Sequence, residues 1–218
     1  MHFPSPPPCA TRTSSRSRSR RRRARGVATI ELALVLPMLL LLVLSIFDIA
    51  RAIQANMILV SIGREGANMA SRSSGYTYGQ IMDSLAATTP PLDMGQRGMI
   101  YITRLMGRTE AGVVRNVVLE QHRWQNGWLQ SHFVPTSRVW NCGSRGTSWS
   151  SDGSCAGLPG LGSNSPTANV MTGQLTDGAV VYAVETYYLY QPLLGPLAVG
   201  AGLLSAQIDP DLYALTLF

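Results

Sequence analysis

The sequence predicts an α+β fold, in which a long N-terminal membrane-spanning helix continues into a small antiparallel-sheet domain. Three observations predict it. Leu32 to Phe47 is an uncharged, almost wholly apolar run. Helical spacing of apolar residues carries on past that run to about Ala70. Beyond Met99 the spacing of apolar residues switches to two and the residues become β-branched and aromatic.

The chain of 218 residues is 45% hydrophobic, enough for one ordinary domain plus appendages. Its formal charge of +6 is a property of one end. Met1 to Gly26 is rich in Pro, Ser and Arg and holds no large apolar residue beyond Phe3, so it is expected to be a disordered leader. Eight of the basic residues, all of them Arg, fall between Arg12 and Arg25. From Val27 onward acids slightly outnumber Arg, which gives no basic groove and argues against nucleic acid as a partner. The Arg run before an apolar span is explained instead by orientation and attraction to anionic lipid.

Counted from Val27, the mostly apolar run is about 21 residues, the length a helix needs to cross a bilayer. Residues 27–50 are therefore expected to span the membrane, with Pro37 kinking the helix. The positive-inside rule places the N-terminus in the cytoplasm and the rest of the chain on the far side. Residues 51–74 are expected to extend the helix, burying an Ile49, Ile53, Met57 stripe against a sheet and stopping at Ser73, Ser74 and Gly75. The competing view is a cleavable secretory signal cut at Ala50–Ala52, leaving Ile53 as the first residue. Asp48 sits where a neutral stretch is wanted, and helical periodicity runs through the supposed cut.

Residues 75–218 are expected to form the exported α+β domain. A short helix is expected at Tyr78–Ala87, ended by Pro90-Pro91. Strands follow from Met99, from Val113 and from Ala179, with a last strand at "LYALTLF". Asn126-Gly127, between Trp124 and Trp128, has the composition of a hairpin turn. Between the strands, residues 141–178 are too rich in Gly and Ser to hold a core of their own and read as a surface loop. Cys142 and Cys155 within it are expected to pair in an oxidising compartment, contributing about 3 kcal/mol in the chain-entropy model. Cys9, in the leader, is expected to stay reduced.

Metal and cofactor chemistry find no support in the pattern. The cysteines lack a C-x-x-C step, and His122 and His132 stand alone. There is no G-x-S-x-G, Walker loop, H-E-x-x-H or strand-linked G-x-G-x-x-G, and "GLPGLG" at Gly157–Gly162 has neither Lys nor a following helix. No cofactor, metal or catalysis is expected.

Glu31 is the residue that the apolar pattern does not explain. A carboxylate near a helix entrance favours the positive end of the dipole and reaches towards headgroups. A cut after Gly26 would give it more: the new α-ammonium of Val27 stands four residues away on the same helix face. Within a low-dielectric layer, pairing removes much of the cost of the charge, and a neighbouring subunit's ammonium would serve equally, aligning stacked helices.

Arg25-Gly26, then Val27-Ala28-Thr29-Ile30-Glu31 and an apolar span, resembles a type IV prepilin processing site. Leu32 stands where such sites commonly carry an aromatic. "RGVATIELALVLPMLLLLVLSIFDIARAIQANM" followed by "GREGANMA" at Gly63–Ala70 resembles the TadE-like family, minor pseudopilins of tight-adherence (Flp-type) pilus machines. "AVVYAVETYYLYQPLL" at Ala179–Leu194 is similar to that family's late strand. The resemblance implies a pilin-like layout, Gly26 and Val27 as the processing site, Glu31 as the assembly carboxylate, and a bacterial inner-membrane location with a periplasmic domain. It implies as partners membrane lipid, prepilin peptidase, other pilins and pseudopilins, and the inner-membrane assembly platform. Arg64, Glu65 and Gly66 offer either a contact with such a partner or a solvated face with a weakened turn. The alternative function is an uncleaved, signal-anchored periplasmic envelope protein with no part in pili.

Overall fold

The computed structural model describes residues 18–72, 75–131, 133–144, 146–162, 164–193 and 211–218, with side chains from Thr29 onward. The first seventeen residues with Cys9, the helix-stop serines Ser73 and Ser74, His132 and Leu194 lie outside the described residues. The chain divides into two compact units, Met1–Phe47 and Asp48–Phe218.

The longest element, α1, runs Arg18–Arg72 and takes part in both units. It begins earlier than the composition implied, so Arg18–Gly26, expected to be disordered, are helical. Arginine is a good helix former, and residues added to an existing helix escape the cost of nucleation. Pro37 lies inside α1. Among the described residues of the first unit, the large apolar side chains other than half-buried Leu44 are exposed, Leu34 at 73% and Met38 at 75%. From Thr29 onward this helix is long and apolar enough to cross a membrane, with a mean hydropathy of 2.7 over its most apolar window, none of it buried.

The second unit joins the Asp48–Arg72 part of α1 to a four-stranded antiparallel sheet. Helices α2 (Tyr78–Ala87) and α3 (Met94–Arg97) lead into β1 (Gly98–Glu110) and β2 (Val113–Arg123). Then come α4 (Gln125–Gln130), the short pair β3 (Ser148–Trp149) and β4 (Cys155–Ala156), β5 (Val180–Leu189) and β6 (Asp211–Leu217). The main sheet has the order β2-β1-β5-β6. Its register pairs Ile102 with Val184 and Tyr187 with Tyr213. Helix α2 carries a complete capping box: the Gln80 N–H donates to Thr77 Oγ1 and the Thr77 N–H to Gln80 Oε1.

Side chains alternate across the sheet, so its two faces are packed by different elements. On one face, Ile100, Ile102, Val184, Tyr188 and Ala214 meet Leu59, Ile62, Ala67 and Ala70 of α1 and Ile81, Met82 and Leu85 of α2. The stripe expected to make this contact is the wrong one. Ile49, Ile53 and Met57 are 61%, 53% and 67% exposed, while Ala55, Leu59, Ile62, Ala67 and Ala70 are buried. The packed stripe mixes large Leu59 and Ile62 with small Ala67 and Ala70, and the small residues let the helix backbone approach its neighbours.

The hairpin expectation also fails at its position. Asn126 and Gly127 lie within α4, where Gly127 packs under the Trp124 ring. The β1–β2 turn is made by Ala111 (φ 51°) and Gly112 (φ 80°), the consecutive positive-φ pair that a two-residue hairpin loop needs.

Residues of the Gly/Ser-rich region do more than decorate the surface. Val139 and Trp140, just before and at its edge, with Cys142, Cys155, Ala168 and Leu175, form a second buried cluster with Leu105, Val118 and Ala183 on the sheet's other face. The region lacks the apolar content for a separate core, but the sheet supplies the missing half. Cys142 and Cys155 are joined by a disulfide, with Cα atoms 5.9 Å apart.

Candidate functional site on the long helix

Gly26 and Val27 fall within the helical backbone of α1, so Val27 carries an ordinary peptide N–H in this uncut chain. Glu31 follows on the same helix and its side chain is exposed, between Ile30 and Leu32 at 64% and 60% exposure. An ionisable group in a collar of apolar side chains can do one thing well in a membrane: select a cationic partner, since an unpaired charge there is costly. The cut that would supply an ammonium requires the helix around Gly26 to open, and glycine, the weakest helix former after proline, lowers the cost of opening there.

The second unit receives the helix through Asp48, which is buried. Its Oδ1 accepts the Leu193 N–H at 2.8 Å, and the Tyr190 hydroxyl donates to its backbone carbonyl at 3.0 Å. Burial, followed by the Asp48 charge, holds the Tyr190 phenol above its usual range. In the sequence Asp48 is legible only as the charge closing the apolar run; its role as a tether for the chain after β5 depends on contacts 142 and 145 residues away.

Arg64, Glu65 and Gly66 divide by burial. Arg64 and Glu65 are exposed, and Gly66 is buried. A Cβ on Gly66 would sit 2.7 Å from Leu85 Cδ1, and one on Gly63 would sit 2.8 Å from Thr216 Oγ1. The two glycines are therefore points of closest approach between α1 and its neighbours. They alternate with a charged, outward-facing pair, and that pattern, together with Ala67 and Ala70, is the signature of the packed seam. Thr186 reinforces it by donating to the Leu59 carbonyl at 3.3 Å.

Both the collar around Glu31 and the glycines Gly63 and Gly66 fall within one stretch that matches a family model. Residues 26–68 match the family model for TadE-like protein. The TadE-like segment begins at Gly26, takes in Glu31 and Pro37, and ends inside the seam that holds α1 to the sheet. At the level of the family, the match supports a protein associated with tight-adherence pili. Neither a curated protein nor a solved structure matches the chain.

Outside the TadE-like segment, the chief polar feature is a buried carboxylate that pattern reading passed over. Glu185, on β5, is fully buried. Ser137 Oγ–H donates to its Oε2. Its Oε1 accepts the N–H groups of Arg138 at 2.8 Å and Val139 at 3.3 Å, and the hydroxyls of Tyr187 at 2.9 Å and Tyr213 at 3.2 Å. Beside it, buried Gln121 donates to Trp140 O at 2.7 Å and to Ser137 Oγ at 3.0 Å, and accepts the Cys142 N–H at 3.2 Å. Burial, and then the Glu185 charge, push the Tyr101 phenol up to about 12 and raise Tyr187 and Tyr213 well above their usual range. These groups hold residues 137–142 to the sheet. The available signal was the acid itself, set between Val184 and Thr186 in an apolar strand with tyrosines two and three residues on.

His122 is not isolated in space. Its ring lies 4.4 Å from that of Tyr78, and its Nε2 is 3.6 Å from Glu120 Oε2. His122 chiefly, with hydrogen bonds from Arg104 at 2.9 Å and Tyr78 at 3.1 Å, outweighs burial and holds Glu120 at about 2. Among the described residues, no three of His, Cys, Asp and Glu come together as a metal-holding group.

Proposed function

We propose that this chain is a minor pseudopilin of a tight-adherence pilus assembly system, held in the bacterial inner membrane by α1 with its sheet domain in the periplasm. The observation that carries the proposal is Glu31: an exposed carboxylate in an apolar helix, five residues beyond Gly26, inside a stretch that matches the TadE-like family model. Prepilin peptidase removes residues 1–26, and the Val27 ammonium then pairs with Glu31 of its own or a neighbouring chain. Other pilins and pseudopilins pack along the apolar helix, and the inner-membrane platform receives the complex. The role is structural and no catalytic step is assigned to it.

N-terminal sequencing of the membrane-extracted protein from a peptidase-competent cell tests the processing step. Val27 is expected at the N-terminus. Met1 would mean an uncleaved anchor, and Ile53 a secreted product; either overturns the pseudopilin reading. A cut before Ile53 would also remove Asp48 and with it the acceptor of the Leu193 N–H, which favours an intact helix at that point.

A further inference from the structure

The second unit contains a cavity of about 120 Å³ walled by Arg51 and Gln54 of α1, Leu92 and Arg97 from the α2–β1 connection, and Tyr190 after β5. We propose that it binds the phosphate group of an anionic lipid headgroup. Four observations converge on this. Arg51 and Arg97, from distant parts of the sequence, line one small space, and no Asp or Glu lines it. Among the described residues, neither arginine makes an ion pair. The acids nearest in the sequence have other partners: Asp48, before Arg51, is buried and accepts the Leu193 N–H, and Asp93, before Arg97, accepts the Gln96 N–H as the cap of α3. The volume is well below the roughly 300–1,000 Å³ of small-molecule pockets, which suits a single charged group and not a metabolite-sized ligand.

Arginine pairs are the donors that phosphate geometry favours, because each guanidinium presents a planar fork of N–H groups. Position in the chain selects the source of the phosphate. Arg51 follows the uncharged run Leu32–Phe47 by four residues, where a chain leaving hydrocarbon meets headgroups. Leu92 and Ile58 give the cavity an apolar side against which glycerol and the first acyl carbons can lie. A free phosphate ion would use the same arginines, and the two sources differ in what else they bring.

The lipid source rests on the membrane placement proposed above; the arginine site does not, and the experiment separates the two. The full-length chain in neutral detergent is probed by native mass spectrometry with phosphatidylglycerol and with phosphatidylcholine, and by calorimetry with inorganic phosphate. Phosphatidylglycerol is expected to be retained over phosphatidylcholine on the order of tenfold, and Arg51→Gln/Arg97→Gln should reduce that preference to the part contributed by the Arg12–Arg25 run. Arg51→Lys/Arg97→Lys should restore part of the preference, which shows that charge and not misfolding was lost. Arg108→Gln/Arg115→Gln, with the same charge change at the β1–β2 hairpin end, should bind as the parent does. Arginine-dependent binding of inorganic phosphate without lipid preference would leave the anion site standing and overturn the lipid source. Equal lipid retention by parent and glutamine variant, without phosphate binding, would overturn both. Resistance of the protein to alkaline extraction from membranes reports separately on anchoring.

Discussion

Two carboxylates in apolar settings divide the molecule into a part complete in itself and a part that is not. Glu185 is fully buried and surrounded by five donors from its own chain. Glu31 stands exposed among apolar side chains that are themselves exposed. Glu185 is a costly charge in a low-dielectric place, Glu31 would be one in the proposed membrane span, and the difference lies in who supplies the compensation. The sheet domain contains its own donors and so has a fixed structure. The helix carries a charge whose complement, under the proposed function, is an ammonium made by processing or brought by another subunit. The structural role of Glu185 and the assembly role proposed for Glu31 thus differ in the origin of the partner.

The largest effect that tests this contrast is expected from Glu185. Glu185→Ala leaves the Ser137 hydroxyl, the Val139 N–H and the Tyr213 phenol without their acceptor, while the Arg138 N–H keeps the Tyr187 hydroxyl and Tyr187 keeps the Thr136 carbonyl, and should cost about 3 kcal/mol. Urea unfolding of the full chain in detergent, followed by tryptophan fluorescence, measures it. A loss below about 1 kcal/mol would mean that the 137–142 segment is held by its apolar contacts alone. Gly66→Val comes next, at about 1–3 kcal/mol, because a branched side chain must displace Leu85 and Val184 from a packed seam. Gly75→Val, where nothing lies within 4 Å of an added Cβ, is the control for position in the chain.

A smaller effect is expected at Glu120. Its folded pKa of about 2 lies below the ordinary 4.5, so the stabilisation is fully present above about 4.5 and is lost as pH falls towards 2. The carboxylate is about one-third exposed, at 34%, so solvent screening brings the contribution down to the order of 1 kcal/mol. Glu120→Gln should therefore lower the unfolding midpoint at pH 7 and flatten its fall between pH 4.5 and 2. An unchanged acid limb would show that other carboxylates govern acid unfolding.

The same contrast explains what the sequence could reveal. Patterns that depend on near neighbours were legible: the apolar span, the bounds of α2, the strands from Val113 and Ala179, and the spacing of Gly26 and Glu31. Choices settled by distant packing were not. Ile49, Ile53 and Met57 looked like the buried stripe because hydrophobicity alone does not register which helix face meets Thr216, Leu85 and Val184 at Gly63 and Gly66. Asn126-Gly127 looked like a turn, but Ala111-Gly112 made it, since the lengths of β1 and β2 set where the chain must reverse. The buried groups Glu185 and Gln121 gained their meaning from residues 137–142, which local patterning reads as irregular.

Glu31 should give the smallest change in stability and the largest in assembly. Glu31→Gln alters an exposed side chain outside the sheet domain, so the unfolding midpoint of that domain should move by less than about 0.5 kcal/mol. Pilus production should nevertheless collapse, because an amide cannot pair with the Val27 ammonium as a carboxylate does. Glu31→Asp, which keeps the charge on a shorter arm, should retain part of it. The readouts are piliation by electron microscopy and co-purification with other pilins, each measured on cells whose cleavage at Gly26 has been verified. Wild-type piliation in the glutamine variant would reduce Glu31 to a favourable charge at the start of a helix. Loss of piliation together with loss of cleavage would place the carboxylate in peptidase recognition, upstream of any pairing between subunits.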